Sequence, residues 1–221
     1  MRMEKVIKQN LTDGDLEIIN SFTRKNYTAD ELYVFEIRAA DTRIDRDFER
    51  FDRASLEKLA EMYVGTTVIA DHNPRADNQC ARIFKGRVET AQDGESELIL
   101  TAYTTVSGNA ELIEKIDSGI VREVSVGCAV GKRVCSVCGK ERCNHRGGRS
   151  YKGSICYFTL SDVADAYEVS FVAIPAQRAA GVIKCHKSYF AEPPENESQK
   201  SETAVALGLA AAKIFITEEF D

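Results

Sequence analysis

The sequence contains no tryptophan, and only three histidines, three methionines and four prolines in 221 residues. The shortage of histidine narrows any imidazole chemistry to His72, His145 or His186. No apolar run approaches the ~18 residues of a membrane span. The opening MRMEKVIKQN lacks the apolar core of an export signal. An excess of positive charge is missing too: 29 Lys and Arg stand against 35 Asp and Glu, a net charge of −6. That excludes nucleic-acid binding through overall charge, though not through a local patch. Neither a Gly-x-Ser-x-Gly elbow nor a phosphate loop nor a dinucleotide fingerprint occurs. What remains is the expectation of a soluble intracellular chain of 24.5 kDa, 43% hydrophobic, forming one domain or a domain plus a tail.

Residues 1–31 are polar and mixed. LYVFEIRAA (Leu32 to Ala40) reads as a first core strand. Asp52 is placed to cap a helix running to about Tyr63, with Leu56, Leu59, Ala60 and Tyr63 at helical spacing and Gly65 beyond its end. TTVIA (Thr66 to Ala70) is a short buried strand that delivers the chain to Asp71 and His72. A hairpin over Ala81 to Thr90 and Glu97 to Thr105 follows, turning at Gln92-Asp93-Gly94, then a helix from about Asn109 to Asp117. VREVSVGCAV (Val121 to Val130) is a strand, and SICYFTL and EVSFVAI are two more. Between them lies a Cys-rich, basic insertion, 131–153. From Lys187 the composition turns to AEPPENESQKSE, a linker with the character of a disordered segment, ahead of TAVALGLAAAKIFI, an apolar candidate helix. The fold class expected is α+β.

Seven cysteines without an export signal read as reduced thiols or metal ligands. Four donors, Cys135, Cys138, Cys143 and His145, fall within the eleven residues C-S-V-C-G-K-E-R-C-N-H. Three thiolates and one imidazole make a closed tetrahedral zinc set with no open position for water, hence a structural ion. The alternatives are unrelated loop residues or a redox pair at Cys135 and Cys138. Cys80, Cys128, Cys156 and Cys185 are expected to be plain reduced thiols. The insertion carries seven Lys and Arg against one acid, Glu141. That charge suits either a phosphate backbone or an acidic partner.

With His145 assigned to metal and His186 beside the tail, His72 is the candidate general base, or else an ordinary turn histidine. Around Ser125, alternation puts Val124, Val126, Cys128 and Val130 on one face and Ser125, Gly127 and Ala129 on the other. The small neighbours leave room for a bound peptide beside the hydroxyl. Glu168 opens an otherwise apolar strand and shares a face with Ser170 and Val172. Its carboxylate lies either at the wet end of that strand or against an imidazole that it orients.

Taken in order, T-V-I-A-D-H-N, R-E-V-S-V-G and Y-E-V-S-F-V-A-I-P-A resemble the tailed-phage prohead maturation proteases, serine proteases of capsid assembly related in fold to the herpesvirus assemblins. The resemblance covers roughly Tyr33 to Lys184. It implies a compact β-barrel flanked by helices over 32–186, with Ser125 as nucleophile, His72 as general base and Glu168 as the group orienting His72. It implies as substrates the scaffold, the amino-terminal region of the major capsid protein and the protease itself, inside proheads assembling in the host cytoplasm. A homodimer is a further implication. The 187–221 segment, three basic residues against seven acidic, would be a tether removed by self-cleavage. The rival readings are an inactive assembly or scaffolding protein of the same fold, and a zinc-dependent nucleic-acid-binding module.

Overall fold

The computed structural model describes residues 11–186. The expected linker and terminal helix of 187–221, and the first ten residues, lie outside the described residues. The described part is α+β, built on a mixed sheet. Helix α1 (Asp13–Phe22) starts at Thr12, whose side chain exchanges capping hydrogen bonds with Asp15. No helix was expected in this segment. The Thr-x-x-Asp box and the Leu16/Ile19 spacing were its only signals. Ile19 is fully buried against Leu32, Val34, Phe84 and Tyr103, so the segment belongs to the folded body.

Strand β1 (Leu32–Asp41) is buried along nearly its whole length and pairs with β5 (Ser96–Thr105) on one side and β10 (Gly181–His186) on the other. β4 (Ala81–Thr90) continues the sheet as the hairpin partner of β5, through a turn in which Gly94 takes a φ of 86°. β3 (Thr67–Ala70) comes next, then β9 (Phe158–Phe171), whose amino-terminal half pairs in parallel with β2 (Glu49–Phe51). β6 (Val124–Cys135) runs antiparallel along the whole of β9, from Val124 opposite Phe171 to Cys135 opposite Phe158. Just before β6, Glu123 makes an isolated bridge to Gly181 of β10, backed by the Val182 N–H donating to the Arg122 carbonyl at 2.8 Å.

Two expectations change in detail. SICYFTL and EVSFVAI read as separate strands, but the end of the first, Phe158 to Leu160, and the start of the second, Glu168 to Phe171, belong to the continuous β9. The polar Ser161–Ala166 stretch between them is carried on a β6 partner with two register shifts, and Asp162 adopts a φ of 58° opposite Gly131. The first residues of the expected 131–153 insertion likewise continue β6 to Cys135.

Helix α2 (Arg53–Met62) follows the expected design: the Asp52 carboxylate accepts the Ser55 N–H at 2.8 Å, and Leu56, Leu59, Ala60 and Tyr63 are buried. Helix α3 (Ala110–Asp117) buries Ile113 and Ile116. Together α2, β1, β5 and the β6–β9 pair enclose the main core, which includes Phe35, Ile37, Leu98, Leu100, Val124 and Val169. α2 approaches β4 so closely that a Cβ on Gly86 would lie 2.2 Å from the Ala60 carbonyl oxygen. Gly86→Ala must push a helix backbone off the sheet, and should cost about 1–3 kcal/mol in denaturant unfolding. Gly14→Ala, whose nearest neighbour would be an ordinary 3.9 Å away, is the control and should cost nothing.

Candidate functional site

β9 is the element that gathers the site. Between residues 168 and 171 it pairs with β3 on one side and, over the same stretch, with β6 on the other. Ser170 is thereby opposite both Ile69 and Ser125, and Glu168 opposite both Thr67 and Gly127. Laterally paired residues share a face, so Ser125, Gly127, Glu168 and Ser170 project to the same side.

His72 reaches that side from the turn after β3. Asp71 and His72 both have positive φ, 54° and 49°, and the Asn73 N–H donates to the Ala70 carbonyl at 3.1 Å. Two consecutive left-handed residues without glycine are costly, and they persist only where the surroundings hold them. Here the holding groups are identifiable. The Asp71 N–H donates to the Phe171 carbonyl at 2.9 Å, and the His72 N–H to the buried Ser170 hydroxyl at 2.8 Å. The Asn78 side-chain amide donates to the Ala70 and Asn73 carbonyls at 2.7 and 2.8 Å. The neighbouring strand β9 thus clamps the turn by its end.

The clamp aims the imidazole at Glu168: Nδ1 lies 2.8 Å from Oε1. Against an ionised carboxylate Nδ1 is the donor of this bond, which in a neutral imidazole puts the lone pair on Nε2. The histidine side chain is 45% exposed and the glutamate 12%, so the pair is sunk at its acidic end and open at its basic end. The second glutamate oxygen is buried without a hydrogen-bond partner among the described residues, which leaves the imidazole as the carboxylate's one hydrogen-bond partner there.

Gly127 has a different use from the one expected. A Cβ there would sit 2.4 Å from Glu168 Oε1, so the space it leaves is taken by the carboxylate and not by a peptide. Its carbonyl accepts the hydroxyl of the fully buried Tyr63 at 3.0 Å, and burial pushes that phenol well above its usual range.

Among the described residues the Ser125 hydroxyl makes no hydrogen bond, to His72 or to any other group. Ser125 borders a cleft of about 300 Å³ with an apolar side, Val126, Phe51 and Leu160, and an acidic one, Asp45, Asp47 and Glu49. Burial raises the Asp45 carboxyl above the ordinary range, although it accepts the N–H groups of Asp47 and Glu49. A larger cleft of about 400 Å³ beside α1 contains none of the serine, histidine or cysteine residues singled out above.

The Cys-rich insertion sits at the far end of β6. Ten residues separate Ser125 from Cys135, roughly 30 Å of strand. The donor atoms of Cys135, Cys138, Cys143 and His145 all lie within 4.8 Å of one another, a set able to hold a metal ion and chemically suited to zinc. Local backbone explains the convergence. Gly139 takes a φ of 69°, which turns the chain back so that its N–H donates to the Cys135 carbonyl at 2.9 Å. The Val137 N–H points at the Cys135 sulfur at 3.4 Å. Burial raises the Cys135 thiol, but the N–H groups of Cys138 and Val137 outweigh it and bring the thiol down to about 6. His145 packs edge-on against Tyr151 at 4.4 Å. The hairpin β7 (Ser150–Tyr151) and β8 (Ser154–Ile155), turning at Lys152-Gly153, closes the insertion.

The insertion is docked on the body. Gly148 faces the Phe48 ring where any Cβ would collide, and the Phe158 N–H donates to the Phe48 carbonyl at 2.8 Å. Two of its seven basic side chains are occupied internally, Arg133 by Glu49 at 2.5 Å and Lys132 by Asp162 at 3.7 Å. Cys156 is a free thiol, as expected, and lies fully buried with its sulfur 3.8 Å from that of Cys135.

No known family model matches the chain, and neither a curated protein nor a solved structure is significantly similar to it.

Two outcomes follow from this geometry. The hydrogen-bonded Nδ1 proton of His72 should give a downfield imidazole resonance in proton NMR, present in the parent and absent in both Glu168→Gln and Gly127→Ala. A metal chelator should raise amide exchange through 136–157 while leaving β1, β3, β5 and the β3–β9 rungs protected, because the two centres stand at opposite ends of β6.

Proposed function

We propose that the chain is a serine endopeptidase of the kind that matures tailed-phage proheads, with Ser125 as nucleophile, His72 as general base and Glu168 as its orienting carboxylate. The observation that carries this reading is the 2.8 Å bond from His72 to Glu168, made beside the β6–β9 rungs that hold Ser125 and Gly127. A buried acid, an imidazole with its outer nitrogen free and a serine on the same sheet face are the three parts that acyl transfer needs. The cleft beside Ser125 gives an extended peptide a place to lie. The bridge between Glu123 and Gly181 supports reading the sheet as the barrel of the assemblin type.

In this mechanism Nε2 takes the Ser125 hydroxyl proton while Oγ bonds to the peptide carbonyl carbon. The Glu168 charge stabilises the imidazolium that forms. Collapse of the tetrahedral adduct breaks the C–N bond, Nε2 returns the proton to the departing amine, and the acyl group stays on Oγ. Water then repeats the sequence and frees the serine. Cys135, Cys138, Cys143 and His145 would hold an ion with no position open for water, so it would brace the insertion and touch no reacting atom.

The substrates under this reading are the scaffold, the amino-terminal region of the major capsid protein, and the chain itself within 187–221, cut inside assembling proheads. The nucleic-acid reading draws less support, since Lys132 and Arg133 are already paired within the chain.

Co-expression with the capsid protein, followed by intact-mass analysis, tests the proposal. Wild type should yield shortened capsid protein or shortened protease, Ser125→Ala and His72→Ala neither. Glu168→Gln should slow cleavage by roughly 10³–10⁴-fold, the size of effect expected when a triad carboxylate loses its charge. Full-length chains from the wild type in assembled shells would replace this reading with that of an inactive assembly protein.

A further inference from the structure

The metal centre contains more donors than an ion needs. Cys135 Sγ lies 3.6 Å from His145 Nδ1 and 3.8 Å from Cys156 Sγ. On a tetrahedral zinc ion, thiolates at about 2.3 Å and an imidazole nitrogen at about 2.0–2.1 Å are separated by about 3.8 Å sulfur to sulfur and about 3.6 Å sulfur to nitrogen. Cys135 therefore stands at zinc-ligand spacing from both His145 and Cys156, although only His145 joins Cys138 and Cys143 in the set whose donor atoms all lie within 4.8 Å of one another. Cys135 and Cys156 are free thiols, so the short approach is not a disulfide. Cys156 is also fixed by its backbone: its N–H donates to the Arg149 carbonyl at 2.8 Å, and its carbonyl accepts the Gly148 N–H at 2.9 Å.

We propose that Cys156 is a ligand residue of this centre, interchangeable with His145 at the fourth coordination position beside Cys135, Cys138 and Cys143. The inference stands apart from the protease reading and depends only on the insertion. Its structural consequence differs between the two states. With His145 bound, the ion closes the eleven-residue turn from Cys135. With Cys156 bound, it staples the end of β6 to the segment that enters β9, next to the Cys135–Phe158 rung where that ladder ends. Exchange of a neutral imidazole for a thiolate makes the site one charge more negative, and an insertion with seven basic residues against one acidic is suited to balance that charge.

Cobalt(II) loaded into the full chain tests this by absorbance, because thiolate-to-cobalt charge-transfer intensity per bound ion follows the number of sulfur ligands. His145→Ala should still bind one equivalent, with four thiolates and an intensity about four-thirds that of Cys156→Ser, which retains three thiolates and the imidazole. The double variant, left with three side-chain donors, should give up cobalt to a chelator at a far lower concentration than either single variant. Loss of the ion in either single variant overturns the proposal, as does equal intensity in the two. Cys80→Ser, outside the cluster, serves as the control and should match wild type in both readouts.

Discussion

Strand β9 has to satisfy β3 and β6 at once over residues 168–171, and most of what is distinctive in the molecule follows from that double pairing. A strand hydrogen-bonded on both edges cannot slip by one residue without turning its whole apolar set outward. Val169 and Phe171 are held in the core by this register, and Glu168 and Ser170 are held on the other face as a direct result. The same rungs fix Ser125 and Gly127 on β6. A polar constellation is therefore positioned by burial of its apolar neighbours and not by the polar contacts themselves.

The turn at Asp71 and His72 shows the dependence from the other side. Its two left-handed residues are disfavoured locally, and the groups that hold them, Phe171, Ser170 and Asn78, come mostly from distant sequence. Conformational strain thus falls on the histidine that meets Glu168. The packing below is continuous: Tyr63 from α2 reaches the Gly127 carbonyl, and Gly127 in turn vacates the volume that the Glu168 carboxylate occupies. The pair between His72 and Glu168 is supported from beneath by the helix.

The insertion is built on a different principle. Its own apolar cluster amounts to Cys135, Cys156 and Phe158 with Cys143 and Tyr151 against it, too little to hold more than twenty residues without an ion. Docking on Phe48 joins it to the body, and the length of β6 keeps it remote from Ser125. One strand thus carries a polar site dependent on the main core at one end and a loop with a donor set able to hold a metal ion at the other.

Local chemistry made several elements readable from sequence alone. The Asp52 cap with its Leu56/Leu59/Tyr63 spacing, the Gly94 hairpin and the Cys135–His145 spacing each involve residues close in sequence, where capping, turn geometry and ligand reach act directly. The α1 capping box was equally local, but a short amphipathic helix gains its stability from packing, and that came from Phe84 and Tyr103 far along the chain. Periodicity likewise put Ser125 and Gly127 on one face and Glu168 and Ser170 on one face, without joining the two. Joining them required the β6–β9 register, which depends on side chains tens of residues apart. That register decided that Glu168 turns toward His72, that Gly127 makes room for it, and that Cys156 stands beside Cys135. Sequence spacing determines what neighbours can do, whereas contacts across the sheet are set by which faces the core must bury.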